Sequence, residues 1–296
     1  MSSTKKKIGD RRDGYRIRNL NGLEQILIDL KPKRSISDVY INANMDLTKL
    51  CEYVENKKKN GESITYFHAF VAAIGKLYYN RNKMNRFVAN RHVYEHKDII
   101  IAFVAKVAFD DKAEEVMIPV KINEKDNINT ISKTIKDRIE KIRNNSNNPD
   151  KKGANSAIDT LGKLPNILRK PIIGIMKWCD DKGILPASLI EDNVYYSSLM
   201  VSNLGSIGCD AIFHNITDFG TCSGLLTMGE IKKDISFDEK GHKVEKMVCP
   251  FGINLDERIA DGYYFAKSLK MLQYIFDNPE LLEGNASDKI IMDENK

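Results

Sequence analysis

Residues 253–284, INLDERIADGYYFAKSLKMLQYIFDNPELLEG, pass from an apolar strand into a helix through a turn carrying Asp256, Glu257, Arg258 and Asp261. Upstream, Lys246–Leu255 reads as the last strand of the chain. Downstream, Phe265, Leu269, Leu272 and Phe276 recur at spacings of 4, 3 and 4, which places them on one helical face. Asp261 precedes Gly262 where an N-cap is needed, because a carboxylate there accepts from the orphan N–H groups of the first turn. Asn278-Pro279 ends the pattern, since proline cannot continue the ladder. Past Glu283 the chain is polar and is expected to fray.

Working back toward the amino terminus, the same periodicities define an α/β chain. Leu47, Leu50 and Val54 predict an amphipathic helix over 46–59, with Asp46 as its N-cap. Phe67, Phe70, Val71, Ile74 and Leu77 predict another over 66–79. The β-branched run 98–109 predicts a strand, and Val116, Ile118, Val120 and Ile122 alternate as a second. Ile128, Ile131, Ile135, Ile139 and Ile142 step by 3, 4, 4 and 3 and predict a helix with a charged outer face. A polar loop follows at about 144–153. Residues 154–192 are apolar but broken by Pro165, Pro171 and Pro186, so short helices are expected, packed as a cap on the main sheet. Lining an acyl pocket or resting on a membrane surface are the functional alternatives. Further strands are expected at 198–204 and near 223–231.

The chain has 296 residues, 42% hydrophobic and 29% charged, a globular composition with enough apolar material for a core. Its net charge of +5 is concentrated at one end: residues 1–34 hold ten Lys/Arg against four Asp/Glu. A nucleic-acid or anionic-lipid argument is therefore confined to a basic arm at 1–14, expected to be flexible or surface-clinging. Nucleic acid is not favoured, because no aromatic-interleaved basic surface accompanies the charge. The opening Met-Ser-Ser-Thr-Lys-Lys-Lys lacks a following apolar run, which points to a cytoplasmic protein. No stretch predicts a transmembrane segment. Cys51, Cys179, Cys209, Cys222 and Cys249 are odd in number and lack zinc-ligand spacing, so they read as reduced, mostly buried thiols and no metal is expected.

The turn and helix at 253–284 resemble the carboxy-terminal part of the chloramphenicol acetyltransferase and dihydrolipoyl acyltransferase catalytic-domain superfamily, which carries a His-x-x-x-Asp-Gly motif opening a helix. Three other stretches resemble the same family in order: VYINANMDLTKL (39–50) its first strand and helix, ITYFHAFVAAIGKLYYNRNKMNRFV with HVYEHKDIIIAFV (64–104) its central helix and strand, and MVSNLGSIG (200–208) its serine-bearing strand. The resemblance covers about 15–283, with the apolar helical segment at about 147–192 as an insertion and 284–296 as a polar tail. It implies a two-layer α/β sandwich on a mixed β-sheet, a homotrimer with active sites at subunit interfaces, and a channel that coenzyme A or acyl-coenzyme A and a small-molecule acceptor enter from opposite ends. With only about 15 residues upstream, a stand-alone catalytic domain without a lipoyl attachment is expected.

The resemblance also locates a departure. The motif's histidine, the base that takes a proton from thiol or hydroxyl, is Glu257 here, whereas Arg258, Asp261 and Gly262 match. Moving a proton from a thiol near pKa 8.5 to imidazole costs roughly 2.7 kcal/mol, and to an ordinary carboxylate roughly 5.7 kcal/mol. Burial that raises a carboxyl by about 3–5 units closes that gap, provided Arg258 points away from Glu257. Ser202 matches the serine that donates to the oxyanion. Asp261 matches a residue salt-bridged to an amino-terminal arginine, for which Arg18 is the first candidate and Arg16 its rival; a plain N-cap is the alternative. Asn203 and Gly205 are expected to shape the turn after the serine strand. Cys222 and His68 are expected to be a buried thiol and a hydrogen-bonded core imidazole. Two functions follow: a coenzyme A dependent acyltransferase-like enzyme using Glu257 and Ser202, or a catalytically silent trimeric scaffold or acyl-ligand binding protein of the same fold.

Overall fold

The computed structural model describes residues 7–106, 115–145 and 161–292. Its strands are β1 (Gly14–Arg16), β2 (Asp38–Asp46), β3 (Arg86–Ala89), β4 (His92–His96), β5 (Ile99–Lys106), β6 (Glu115–Ile122), β7 (Leu199–Asn203), β8 (Gly224–Met228), β9 (Lys232–Phe237) and β10 (Lys243–Asp256). Its α-helices are α1 (Gly22–Leu30), α2 (Thr48–Lys59), α3 (Tyr66–Asn80), α4 (Ile128–Asn145), α5 (Asn166–Asp181), α6 (Ala187–Ile190) and α7 (Gly262–Asp277).

The main sheet runs β2-β10-β8-β7-β5-β6, with β9 added to the exposed half of β10. β7 is parallel to β5 and β8 while the other pairs are antiparallel, so the sheet is mixed. A small sheet, β1-β4-β3, stands apart from it. The apolar faces of α2, α3, α4 and α7 bury the core side of the main sheet, giving the two-layer α/β sandwich. Phe70, Phe251 and Phe276 sit at its centre, with ring centroids 5.2 to 6.3 Å apart. The opposite side is only partly covered: Tyr40, Val104 and Met117 are exposed, and the loop at 211–217 crosses the sheet where Gly252 admits it. A Cβ at Gly252 would lie 2.4 Å from the Ile212 carbonyl oxygen.

Most helices stand where the periodicity puts them, with instructive differences at their ends. Asp46 is the last residue of β2 rather than an N-cap, yet its carboxylate accepts from Thr48 N (3.0 Å) and Oγ1 (2.6 Å) and so still closes the first turn of α2. The 144–153 loop and the end of the 98–109 strand lie largely outside the described residues. Two expectations are overturned. The tail past Glu283 does not fray over its described part: Ala286 is buried with its N–H on Asp126 O (2.6 Å), Ile290 N donates to Asn80 Oδ1 (2.9 Å), and Lys76 Nζ reaches Asn285 O (2.7 Å). A polar tail can be fixed by backbone partners that no hydropathy pattern records. Over its described residues, 161–192, the apolar segment is not a cap packed on the sheet, and 154–160 lie outside the described residues. Pro171 sits inside α5 without breaking it, and the apolar side chains of α5 face outward. The basic arm clings in part: Arg11 is buried, held by Asp13 (2.9 Å) and Asp180 (2.8 Å).

Candidate active site

The turn after β10 is built on a buried cluster of charge. Asp256, fully buried, accepts from Arg258 N (3.1 Å), Nε (2.8 Å) and Nη2 (2.6 Å), and its second oxygen lies 3.8 Å from Arg34 Nε. Arg34 is itself buried, with its remaining N–H groups on the Thr217 (2.6 Å) and Gly220 (3.0 Å) carbonyls. Burial pulls its pKa down against the attraction of Asp256. Two guanidiniums thus share one carboxylate, and Arg258 Nη1 donates in addition to the Lys31 carbonyl (3.0 Å) at the end of α1.

Glu257, the next residue, is turned the other way. Its N–H donates to Ser37 O (2.9 Å), and its carboxylate pairs with the Lys31 ammonium. Arg258 therefore points away from Glu257, as the base hypothesis requires, but Lys31 takes the place that Arg258 leaves. The Glu257 side chain is 29% exposed, so it is not sealed in a dry channel within one chain.

Asp261 caps α7: Oδ1 accepts from Tyr264 N at 2.7 Å, and Phe265 N bonds the Asp261 carbonyl at 3.1 Å. Arg18 does not pair with it. That guanidinium bonds Asp10 Oδ1 (3.1 Å) and the carbonyls of Ile8 and Arg16, while Arg16 faces His92. The capping alternative is what the geometry delivers, and the arginines that organise this turn are Arg34 and Arg258. Nothing lies within 4 Å of where a Cβ on Gly262 would sit, so no contact inside the chain demands glycine there.

Ser202 lies near the carboxyl end of β7, half-buried, and its hydroxyl holds no hydrogen bond among the described residues. Asn203 and Gly205 do shape the turn beyond it: the Asn203 carbonyl accepts from Ser206 Oγ (2.7 Å), and a Cβ on Gly205 would lie 2.4 Å from the Gly229 oxygen. Strand register separates Ser202 from Glu257. Ser202 pairs with Thr227, and Thr227 with Gly252, five residues before Glu257. At strand spacing that is about 17 Å along β10 and about 10 Å across two strands. One chain does not bring the two groups together.

The other candidates behave as ordinary core groups. His68 is buried, contacts Ser132 Oγ through Nδ1 (2.9 Å), and burial draws its pKa down to about 4. Cys222 is buried, donates to Gly224 O (3.1 Å), and burial pushes its thiol up. All five cysteines are free, three of them buried. Among the described residues no group of His, Cys, Asp or Glu could hold a metal ion, and no helix is long and apolar enough to cross a membrane. Sequence reasoning missed Lys31, Arg34 and Asp256. Only Asp256 left a trace, as a charge at the end of an otherwise apolar strand.

The 2-oxoacid dehydrogenases acyltransferase (catalytic domain) family matches residues 26–178 and 187–283. Among solved structures, a probable dihydrolipoamide acetyltransferase from Listeria monocytogenes 4b F2365 is similar at 18% identity and TM-score 0.56, over 90% of this chain and 95% of that one. The Azotobacter vinelandii dihydrolipoamide acetyltransferase is similar at 16% identity and TM-score 0.58, over 90% and 93%. A chloramphenicol acetyltransferase aligns at 11% identity and TM-score 0.51, over 89% and 99%. These structural likenesses establish the chloramphenicol acetyltransferase-like fold. No curated protein matches the chain.

Proposed function

The chain belongs to the 2-oxoacid dehydrogenases acyltransferase catalytic-domain family, and from that premise we propose that it transfers an acyl group from coenzyme A to a thiol, hydroxyl or amine acceptor, with Glu257 as its acid/base. The observation that carries the reading is the division of charge at the turn: Asp256 occupies Arg258, which leaves the Glu257 carboxylate at the motif position with Lys31 as its one ion-pair partner among the described residues. In the reaction, Glu257 takes the proton of the acceptor nucleophile as that atom attacks the thioester carbonyl. Ser202 Oγ donates to the developing oxyanion, and Glu257 returns the proton to the departing thiolate. Asp261 holds the turn by capping α7, and Arg258 holds Lys31 through its carbonyl.

Because Ser202 and Glu257 stand far apart along the sheet of one chain, the reading needs Ser202 from a second copy, and we propose the homotrimer of the resemblance as the working unit. The unpartnered Ser202 hydroxyl and the incompletely covered side of the main sheet support it. A second copy would also shield Glu257 from the solvent it meets in the single chain. The Lys31–Glu257 ion pair favours a second reading, an acyl-ligand binding scaffold without transfer, because an ammonium already occupies the carboxylate that would have to meet the acceptor.

One experiment separates the two: thiol release from a panel of acyl-coenzyme A donors with small acceptors, for wild type and Glu257→Gln. Transfer predicts that Glu257→Gln loses about a hundredfold or more in turnover while keeping the wild-type oligomer. Unchanged turnover removes Glu257 from the mechanism. Donor-dependent thermal stabilisation with no thiol release by either protein establishes the scaffold.

A further inference from the structure

α5 presents its apolar half to solvent. At 100° per residue, Ile167, Leu168, Pro171, Ile172, Ile175 and Trp178 fall on one side of the helix, and all six are exposed. Ile167 is 81% exposed, Ile175 62% and Trp178 57%. Arg169, Lys170 and Lys177 fall on the other side, and Lys163 and Lys182 flank the ends. Of the two acids, Asp180 is buried and spent on Arg11 and on Gly220 N (3.1 Å), which leaves Asp181 alone against five cations. Asp180, near its carboxyl end, is the one buried residue of α5. The Arg11–Asp180 pair ties the carboxyl end of α5 to the basic arm.

We propose that α5 is a membrane-surface helix, which seats its apolar face at the headgroup boundary of an anionic bilayer while its lysines and the basic arm meet the lipid phosphates. The composition matches what such a site needs: a wide apolar face carrying tryptophan, an opposite side on which Arg169, Lys170 and Lys177 flank the exposed Ile173 and outnumber Asp181, and too little length and apolarity to span. Charge decides between a lipid surface and a second copy. A second copy's α5 would bring the same excess of positive charge to the interface region, whereas an anionic surface offers the opposite charge to lysines that reach back to it from the polar side.

Trp178 is the only tryptophan in the chain, so its emission reports on this face alone. The full-length protein is titrated with vesicles of phosphatidylcholine and with vesicles that also contain phosphatidylglycerol, following emission and co-sedimentation. The expected result is a blue shift and co-sedimentation with anionic vesicles only, weakened by salt. Ile175→Glu, an exposed site that the fold tolerates, should weaken binding by more than about tenfold, and Lys170→Glu combined with Lys177→Glu should weaken it without altering the far-ultraviolet dichroism. Unchanged emission and no co-sedimentation overturn the proposal. So does an emission that shifts with protein concentration in the absence of lipid and is abolished by Ile175→Glu together with a change in oligomer size, which assigns the face to another copy.

Discussion

Asp256→Asn should cost the protein a large share of its stability, although the two side chains differ by little more than charge. The carboxylate is wholly buried, accepts three hydrogen bonds from Arg258, and lies 3.8 Å from Arg34, which is also buried. The amide keeps the shape and one acceptor, but it leaves two desolvated guanidiniums facing each other with no anion between them. Removing one member of a buried ion pair costs about 3–5 kcal/mol, against a total of about 5–15 kcal/mol for a folded domain. At about 2–4 °C per kcal/mol for a domain of this size, the melting temperature should fall by roughly 6–20 °C. Urea denaturation read by circular dichroism measures the loss, and Asp256→Asn with Arg258→Met should recover part of it by removing the orphaned charge. Lys31→Met supplies the contrast: its pair with Glu257 is partly exposed and should be worth less than about 1 kcal/mol. A wild-type midpoint for Asp256→Asn would refute the claim that this carboxylate neutralises the cluster.

Four further outcomes follow from the same geometry. His96 is buried against Thr221 O, and burial lowers its pKa to about 4; because the folded state binds the proton less readily than the unfolded chain, its contribution is present above about pH 6.5 and is lost as pH falls toward 4. The full loss is on the order of 3 kcal/mol, and His96→Gln should flatten that part of a stability–pH curve. If Glu257 is the base, Lys31→Met should raise turnover severalfold by freeing the carboxylate for the acceptor; unchanged turnover argues against the pair controlling it. Gly252→Ala should displace the 211–217 loop, seen as faster amide exchange there. Phe70→Ala, at the centre of the aromatic cluster, should cost about 3–5 kcal/mol in denaturant unfolding without changing the fold.

The elements with strong periodicity were legible in advance because one face of each does nothing but bury apolar surface: α3, α4 and α7 follow their stripes to within about a turn. β1, β3 and β4 were not, because their short runs carry partners such as His96 and Glu95 that break alternation. β9 was missed for a different reason, since all six of its residues are exposed and only backbone pairing with β10 defines it. At the site, Glu257, Asp261 and Ser202 came from a motif, and the motif could place them on elements but could not say what each side chain would touch. Lys31 lies 226 residues from Glu257 and Arg34 is 222 residues before Asp256, and no local spacing encodes such pairs. The error over α5 arose from reading apolar content as burial, when a helix can keep its apolar stripe and still turn it outward.

The clamp between Arg11 and Asp180 spans 169 residues of chain and joins the amino-terminal arm to the tip of α5. A protease that clips the first dozen residues would therefore act at a distance: it would strip the buried carboxylate of its counter-ion and unmoor a helix that has few other holds. Fusion tags and amino-terminal truncations belong to the same class of perturbation, and a preparation trimmed there would differ from the intact protein on the opposite flank of the sequence.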